Sequence, residues 1–353
     1  MEQVTDINKR IRSISEIRKI TKAMGLISAV KMRDSRDREA MAHPFITLSA
    51  VTMAELAKRS PRLLAQQLKF PGAGKQERYT VDLYLLTGDK GLSGTYNVNI
   101  LSLAERLVEI IRQKLSQQGY EDIFFRMKHC GKIGRDHMTR AGFFVDESFS
   151  FSIDTPTYYR SMDLADAILD DMQSGEASEV YMVYCRLDTA ISIEALYTRL
   201  LPIDAEGMLW VTKTKHEREE ENKQRKKMAS DVAKATGIRS HHEEVETVDR
   251  QTDEDLMLPF VIEGDQEKVI SYLIGTYLYA MVYGIFTEAY ASEQLSRMTS
   301  MEGATKNADV LLQKYNRERN RFRQKQITTE LTEIISGAEA IISEDEEDKY
   351  ANN

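Results

Sequence analysis

Three places in this chain carry residue types that handle phosphate or metal in other proteins. Gly72-Ala73-Gly74-Lys75 contains a glycine–lysine pair. A phosphate loop needs G-x-x-x-x-G-K followed by Ser or Thr. Here Lys69 stands at the first glycine position and Gln76 at the last, so the stretch reads as a linker. Gly88-Asp89-Lys90-Gly91-Leu92-Ser93-Gly94 follows an apolar strand pattern and precedes a helical one. A Rossmann unit binds dinucleotide phosphate at that location. The G-x-G-x-x-G spacing is absent, and a glycine-rich turn also serves simply to bring a strand end close to a helix. His241-His242-Glu243-Glu244 offers metal-ligand types, yet adjacent positions in a polar stretch seldom surround one ion. His129, Cys130 and His137 are single residues on ordinary elements, where structural roles are expected. Paired carboxylates, a nucleophile elbow and an HExxH helix are all missing, so no active site emerges.

The basic side chains cluster instead. Arg10, Arg12, Arg18, Lys19, Lys22, Lys31 and Arg33 lie near one end of the chain; Arg317, Arg319, Arg321, Arg323 and Lys325 lie near the other. They suit either a solvated helix face or an electrostatic contact with acidic partner loops.

Both clusters sit on long helical patterns. Ile7, Ile11, Ile14, Ile17, Ile20, Met24, Ile27 and Val30 recur at steps of three and four. A second series runs through Leu278, Met281, Ile285, Leu295, Met298, Leu311, Ile327, Leu331, Ile334, Ala338 and Ile341. Such spacing places residues on one stripe of a helix. At 1.5 Å per residue the two helices would reach roughly 80 Å and roughly 115 Å. Helices of that length are expected to pack on each other as a stalk. The first starts near Thr5 or Asp6, both good caps, bends at His43-Pro44 and ends near Pro61. After Pro259 the chain has no proline. Gly275, Gly284 and Gly303 each weaken the second helix by about 1 kcal/mol and are bearable on an interhelical face.

Between the helices the period changes. Tyr79–Thr87, Ile123–Lys128, Phe143–Ile153, Glu179–Arg186 and Ile191–Leu201 read as strands. Asn97–Gln117, Lys132–Ala141 and Tyr158–Met172 read as helices. The alternation predicts an α/β layer with a largely parallel sheet and an antiparallel hairpin at one edge. The fold class is therefore α/β, with a long antiparallel coiled coil of the N- and C-terminal helices plus a Rossmann-like α/β domain. The expected divisions are 1–60 (first helix), 75–203 (α/β domain), 204–258 (a charged insertion), 259–343 (second helix) and 344–353 (an acidic tail).

Composition narrows the function classes. The net charge of -8 argues against a nucleic-acid binder. Cys130 and Cys185 are the only cysteines and lack a paired spacing, as in a reducing compartment. The N-terminus has no apolar signal core. The chain is expected to hold no run of about 18 apolar residues, and so nothing that spans a membrane; membrane contact would come through a partner.

Several stretches resemble the gamma subunit of rotary F-type ATP synthases. They are Ile7–Arg33 (INKRIRSISEIRKITKAM, then ISAVKMR), Leu86–Asn97 (LTGDKGLSGTYN), Ala291–Ala308 (ASEQLSRMTSMEGATKNA) and the stretch from Arg323, RQKQITTELTEIISGA. The resemblance implies a central-stalk rotor that couples transmembrane ion flow to ATP synthesis or hydrolysis and has no catalytic site of its own. The implied partners are the alpha and beta subunits of the catalytic ring, the epsilon subunit and the c-subunit ring. No nucleic acid is implied, and the membrane is touched only through the c ring, at the cytoplasmic face of the cell membrane. No cofactor is implied for this chain; ATP, ADP, phosphate and Mg belong to other subunits. Residue by residue, the matching segments give Lys22 and Met24, Glu293 and Arg297, and Arg323, Gln324 and Thr328 as partner contacts. Gly88, Asp89, Gly91 and Gly94 belong to the loop that leans toward the ring. Ser93 stands where many relatives carry cysteine. The insertion lacks the cysteine pair of chloroplast relatives, which removes thiol switching, and its charged helix is expected near the c ring or epsilon. Two other classes compete: a nucleotide-dependent α/β enzyme, which would bind nucleotide at Gly88–Gly94, and an unrelated coiled-coil scaffold, which would form a stable homodimer.

Overall fold

A computed structural model describes residues 2–59, 78–147, 151–152, 156–187, 192–203 and 265–351. The Gly72–Lys75 linker, the His241–Glu244 cluster and the 204–258 insertion lie outside these residues. The elements are α1 (Glu2–Arg59), β1 (Tyr79–Leu86), α2 (Tyr96–Gln117), β2 (Ile123–Cys130), α3 (Lys132–Arg140) and β3 (Phe144–Val145), followed by α4 (Tyr158–Gln173), β4 (Glu179–Leu187), β5 (Ile193–Leu201) and α5 (Gln266–Ala351).

The chain forms two compact units. One comprises Met1–Lys31, Leu92–Gly94 and Gln294–Asn353; the other comprises Met32–Gly91 and Thr95–Glu293.

In the second unit the strands order as β3-β2-β1-β4-β5. β1 pairs in parallel with β2 and β4, β3 is parallel to β2, and β5 is antiparallel to β4. The predicted sheet and edge hairpin are both present. β1 is buried on both faces, as its nearly unbroken apolar run requires. On one face α2 buries Ile100, Ala104, Leu107, Val108, Ile111 and Leu115 against Val81, Leu83 and Leu85, and the i, i+4, i+7 spacing supplies that stripe. The other face carries Tyr84, Leu86, Met182 and Tyr184, covered by α4, by Met53 and Leu56 of α1, and by Ile270 to Ala289 of α5. Thr157 caps α4, its Oγ1 accepting the Arg160 N–H at 3.4 Å. Among the described residues of the expected Phe143–Ile153 strand, Phe144–Val145 form a strand and Phe151 bridges to Cys130. Cys130 and Cys185 are free and buried in the cores on opposite faces. Burial pushes the Cys185 thiol up to about 12.

The Ile270–Ala289 stretch corrects one sequence expectation. α5 contains a window apolar and uncharged enough to cross a membrane by length and composition. Its apolar side chains, including Ile270, Ile274, Leu278, Val282, Ile285 and Phe286, are instead the core of this unit. Full burial of each stabilises the fold by about 1.5–3 kcal/mol.

Two further differences concern the helices. α1 runs unbroken through Pro44, with Pro44 inside the helix. The burial pattern supplies the reason: Ala42, Ile46, Ser49 and Ala50 keep one face packed on both sides of Pro44, which is itself exposed. α1 also begins before the expected Thr5/Asp6 cap. The three α5 glycines separate in role. Gly284 meets Ile46 of α1, whose Cδ1 would lie 3.0 Å from an added Cβ. Gly275 faces only Tyr279 of its own helix, and Gly303 faces open space.

A charge network lies within the sheet's second layer. Asp82, fully buried on β1, accepts two bonds from Arg126 of β2, Nε at 2.7 Å and Nη2 at 2.8 Å. Lys128 bonds Asp171 of α4 and lies 3.5 Å from Asp82 and 3.9 Å from Asp146. Burial pushes the Asp82 carboxyl up, against the pull of Arg126 and Lys128. Replacing Asp82 by Ala leaves two cations largely buried with fewer partners, which costs about 3–5 kcal/mol. A urea-denaturation series on the variant and parent should show that loss; a difference under about 1 kcal/mol would contradict it.

Candidate functional site

In the first unit, α1 and α5 run antiparallel. Arg10 pairs with Tyr315, Arg18 with Asp309, Thr21 with Thr305, and Gly25 with Met301, so position falls on one helix as it rises on the other. Ile7, Ile11, Ile14, Arg18, Thr21, Gly25 and Ser28 of α1 are all buried or half-buried. Their steps alternate four and three, the heptad spacing of a coiled-coil seam. On α5 the seam is Met298, Met301, Thr305, Ala308, Leu312, Tyr315, Arg319 and Phe322, with the same alternation.

This seam does not coincide with the apolar stripe read from the sequence. The two share Ile7, Ile11 and Ile14 and then diverge. From Arg18 to Ser28 the α1 seam is polar or small: the Thr21 and Thr305 hydroxyls bond at 2.8 Å, and Gly25 admits Met301. Ile17, Ile20, Ile27 and Val30 turn outward, with Val30 69% exposed. On α5, Val310, Leu311, Ile327, Leu331 and Ile334 are likewise exposed. Lys19, Lys22 and Lys31 are exposed on α1 close to the outward isoleucines in sequence.

The sequence-derived contact residues fall into three settings. Lys22, Arg323, Gln324 and Thr328 are exposed, while Met24 and Arg297 are half-buried. Thr328 spends its hydroxyl on the Gln324 carbonyl of its own helix, at 3.0 Å. Gly94 packs on α5, where a Cβ would come within 2.6 Å of Ser300 Oγ, and Ser296 Oγ donates to the Ser93 carbonyl at 2.6 Å. Leu92 adopts φ 66° and is exposed, a conformation that an L-residue with a bulky side chain rarely takes. Glu293 is buried, 1% exposed, against Gly88, which leaves no room there for a Cβ.

In the second unit Gly88 and Asp89 form a tight structure at the carboxyl end of β1. α3 begins at Lys132 after Gly131, which has no side chain to cap it. The first helical amides need outside acceptors. Lys132 N–H donates to Asp89 Oδ1 at 3.0 Å, Ile133 N–H to the Gly88 carbonyl at 3.4 Å, and Gly134 N–H to Thr87 Oγ1 at 3.1 Å. Asp89 Oδ2 also accepts from Ser152 Oγ at 2.7 Å, and Gly88 N–H donates to Asn97 Oδ1 at 2.9 Å. Gly131 adopts φ 114° directly against the Thr87 carbonyl, so only glycine fits. Three consecutive residues of one strand exit therefore cap the helix that follows the neighbouring strand. Helix N-termini at this edge of an α/β sheet are where phosphates bind in nucleotide-binding folds. Here the chain's own acceptors take those donors.

The seam positions Thr21 and Thr305, the Asp309 partner of Arg18, the loop contacts Ser296 and Ser300, and the cap roles of Thr87, Lys132 and Ser152 went unread in the sequence. A heptad count anchored on Ile7, Ile11 and Ile14 would have reached Arg18 and Thr21. Nothing local announces the others, because their partners are distant in sequence. Among the described residues no group of three or more His, Cys, Asp or Glu is arranged to hold a metal ion.

Comparison with known proteins gives a consistent picture. The ATP synthase family matches residues 3–341. The chain is 32% identical to the ATP synthase gamma chain of Ruminiclostridium cellulolyticum, covering 95% of this chain and 98% of that one. It is 30% identical to the ATP synthase gamma chain of Caldanaerobacter subterraneus, covering 94% and 98% respectively. Among solved structures, a chain of the Euglena gracilis mitochondrial ATP synthase aligns with a TM-score of 0.54 at 16% identity, covering 96% of this chain and 95% of that one. At that identity the likeness concerns the fold.

His129 borders the capped helix and carries a pH consequence. It is 4% exposed, neither ring nitrogen has a hydrogen-bond partner, and Gly134 leaves just enough room beside its Nδ1. Burial, helped by Arg135, lowers its pKa from 6.5 to about 4. The folded state thus disfavours the proton that the unfolded chain takes up. The resulting stability is complete above pH 6.5 and lost as pH falls toward 4. Between pH 7 and pH 5 this group alone should remove about 2 kcal/mol. Denaturation of parent and His129→Leu at both pH values checks this: the variant should lose less by about that amount, and equal losses would refute it.

Proposed function

This chain belongs to the ATP synthase family as one of its gamma chains, and from that premise we propose how its surfaces serve the complex. It is the central-stalk rotor subunit of an F-type ATP synthase and is not itself catalytic. The outward apolar and basic faces of α1 and α5 run against the alpha and beta subunits of the ring. The α/β unit meets the epsilon subunit and the c-subunit ring. Through that ring the chain is held at the cytoplasmic face of the membrane, and nucleotide, phosphate and Mg stay on other subunits.

One observation carries this reading: the coiled coil keeps a partly polar seam inside and turns isoleucines outward. Exposed apolar surface of this kind marks a partner site. The interspersed lysines suit a mixed contact in which no continuous apolar interface holds the rotor in one orientation. A partner ring in which each site sees a different part of this surface can then hold its sites in different states. Binding preference between those states is what rotation would supply, since a ligand shifts an equilibrium only by its differential affinity.

Arg323, Gln324 and Thr328 lie on the exposed part of α5 beside Ile327 and Leu331, and act as a catch on the beta subunits. Replacing both Arg323 and Gln324 by Ala should lower ion-driven ATP synthesis several-fold in membrane vesicles, with the chain still folded by circular dichroism. Undiminished synthesis would sink the catch. Affinity capture of the tagged parent chain should recover alpha, beta and epsilon subunits; recovery of a homodimer alone would favour a scaffold instead.

A further inference from the structure

We propose that Asp89 is an internal anion that takes the place of a ligand at the start of α3, and that it positions the glycine loop for coupling. The proposal rests on the rotor reading for its functional half and on geometry alone for its structural half.

The geometry begins with what α3 lacks. Gly131 precedes it with φ 114° and no side chain, so the usual Ser, Thr or Asp cap is missing. Any larger residue there would strike the Thr87 carbonyl. The acceptors for Lys132, Ile133 and Gly134 come in order from Asp89, Gly88 and Thr87. Only the Asp89 carboxylate brings a full negative charge, and it lies at the helix end that favours one. Its second oxygen accepts from Ser152, on the segment whose Phe151 carbonyl accepts the Gly131 N–H at 3.1 Å. One carboxylate thus ties together the β1 exit, the α3 start and the segment around Phe151.

The consequence concerns the chain just beyond. β1 ends at Leu86, so Thr87, Gly88 and Asp89 set the direction in which the backbone leaves the sheet. Gly88 is further fixed by Asn97 and hemmed in by Glu293. Asp89 was read from sequence as a contact to the ring. Both of its oxygens bond inside this unit, which makes it a positioning residue. Lys90 and Gly91, both exposed, are left to present the loop outward.

The test uses assembled ATP synthase carrying Asp89→Ala, Asp89→Asn or Ser152→Ala. Hydrogen exchange at the Lys132 amide and ion-driven ATP synthesis are both read. Asp89→Ala should speed exchange at Lys132 at least about tenfold and reduce synthesis, with the global unfolding midpoint nearly unchanged. Asp89→Asn keeps an oxygen for the Lys132 N–H and should restore most of both, whereas a side chain needed only as bulk or as an outward charge would not give that pattern at Lys132. Ser152→Ala should fall between. Parental exchange at Lys132 in Asp89→Ala, or Asp89→Asn no better than Asp89→Ala, overturns the proposal. Failure of the rotor reading looks different: the parent chain would not support synthesis at all, while the exchange pattern would stand.

Discussion

The close pairing of α1 and α5 is the constraint on which the rest depends. In the first unit their approach is set by small and polar side chains, Gly25 against Met301 and Thr21 against Thr305. A seam of leucines would contribute more burial. Polar residues at seam positions cost stability and specify register, and the Arg18–Asp309 pair adds a second registering contact. Its side chains are about 40% exposed, so its energetic worth is small. Its orientation is the more informative property. With the seam so occupied, the isoleucines of the same helix have nowhere to go but outward.

The second unit meets the opposite demand with the opposite composition. α5 there is apolar nearly all round, and Ile274, Leu278, Val282 and Phe286 are buried with the sheet and α4. One continuous helix thus changes character along its length, from a core element to one side of a polar coiled coil. The sheet carries the strand arrangement of ligand-binding α/β folds, yet its crevice edge is closed by Thr87, Gly88 and Asp89. Filling donors with the chain's own acceptors satisfies the same orphan amides that a phosphate would.

Much of this was legible in the sequence, for reasons that also explain the failures. The strands were readable because β1 and β4 are short apolar runs, and α2 because its stripe has a clean helical period. The two long helices were readable from period alone. The face they bury was not, because the most apolar stripe is a guide to the core only when the core is the only apolar environment available. Ile17 and Ile20 are on the page as hydrophobic, and nothing in their identity distinguishes a core position from a partner face. Proline removes one helical hydrogen bond at Pro44, yet α1 continues past it, with Ala42, Ile46 and Ala50 at least half-buried on either side. Asp82 and Asp89 were beyond local reading, since an aspartate in a strand or a loop acquires its meaning from Arg126 or Lys132 some forty positions away.

The two acid sites illustrate how differently a buried-side carboxylate can be employed. Asp82 answers two cations in the layer between sheet and helix, where charges must be paired to be tolerated. Asp89 answers a backbone amide at a half-exposed edge, where the helix supplies only partial charge. Removing the first exposes a large electrostatic debt and threatens the whole unit. Removing the second frees one helix turn and the strand exit it holds. The strong network lies between the sheet and α4, and the Asp89 clamp lies at the strand ends beside the Gly88 and Thr87 contacts, so the two carboxylates hold different parts of the unit.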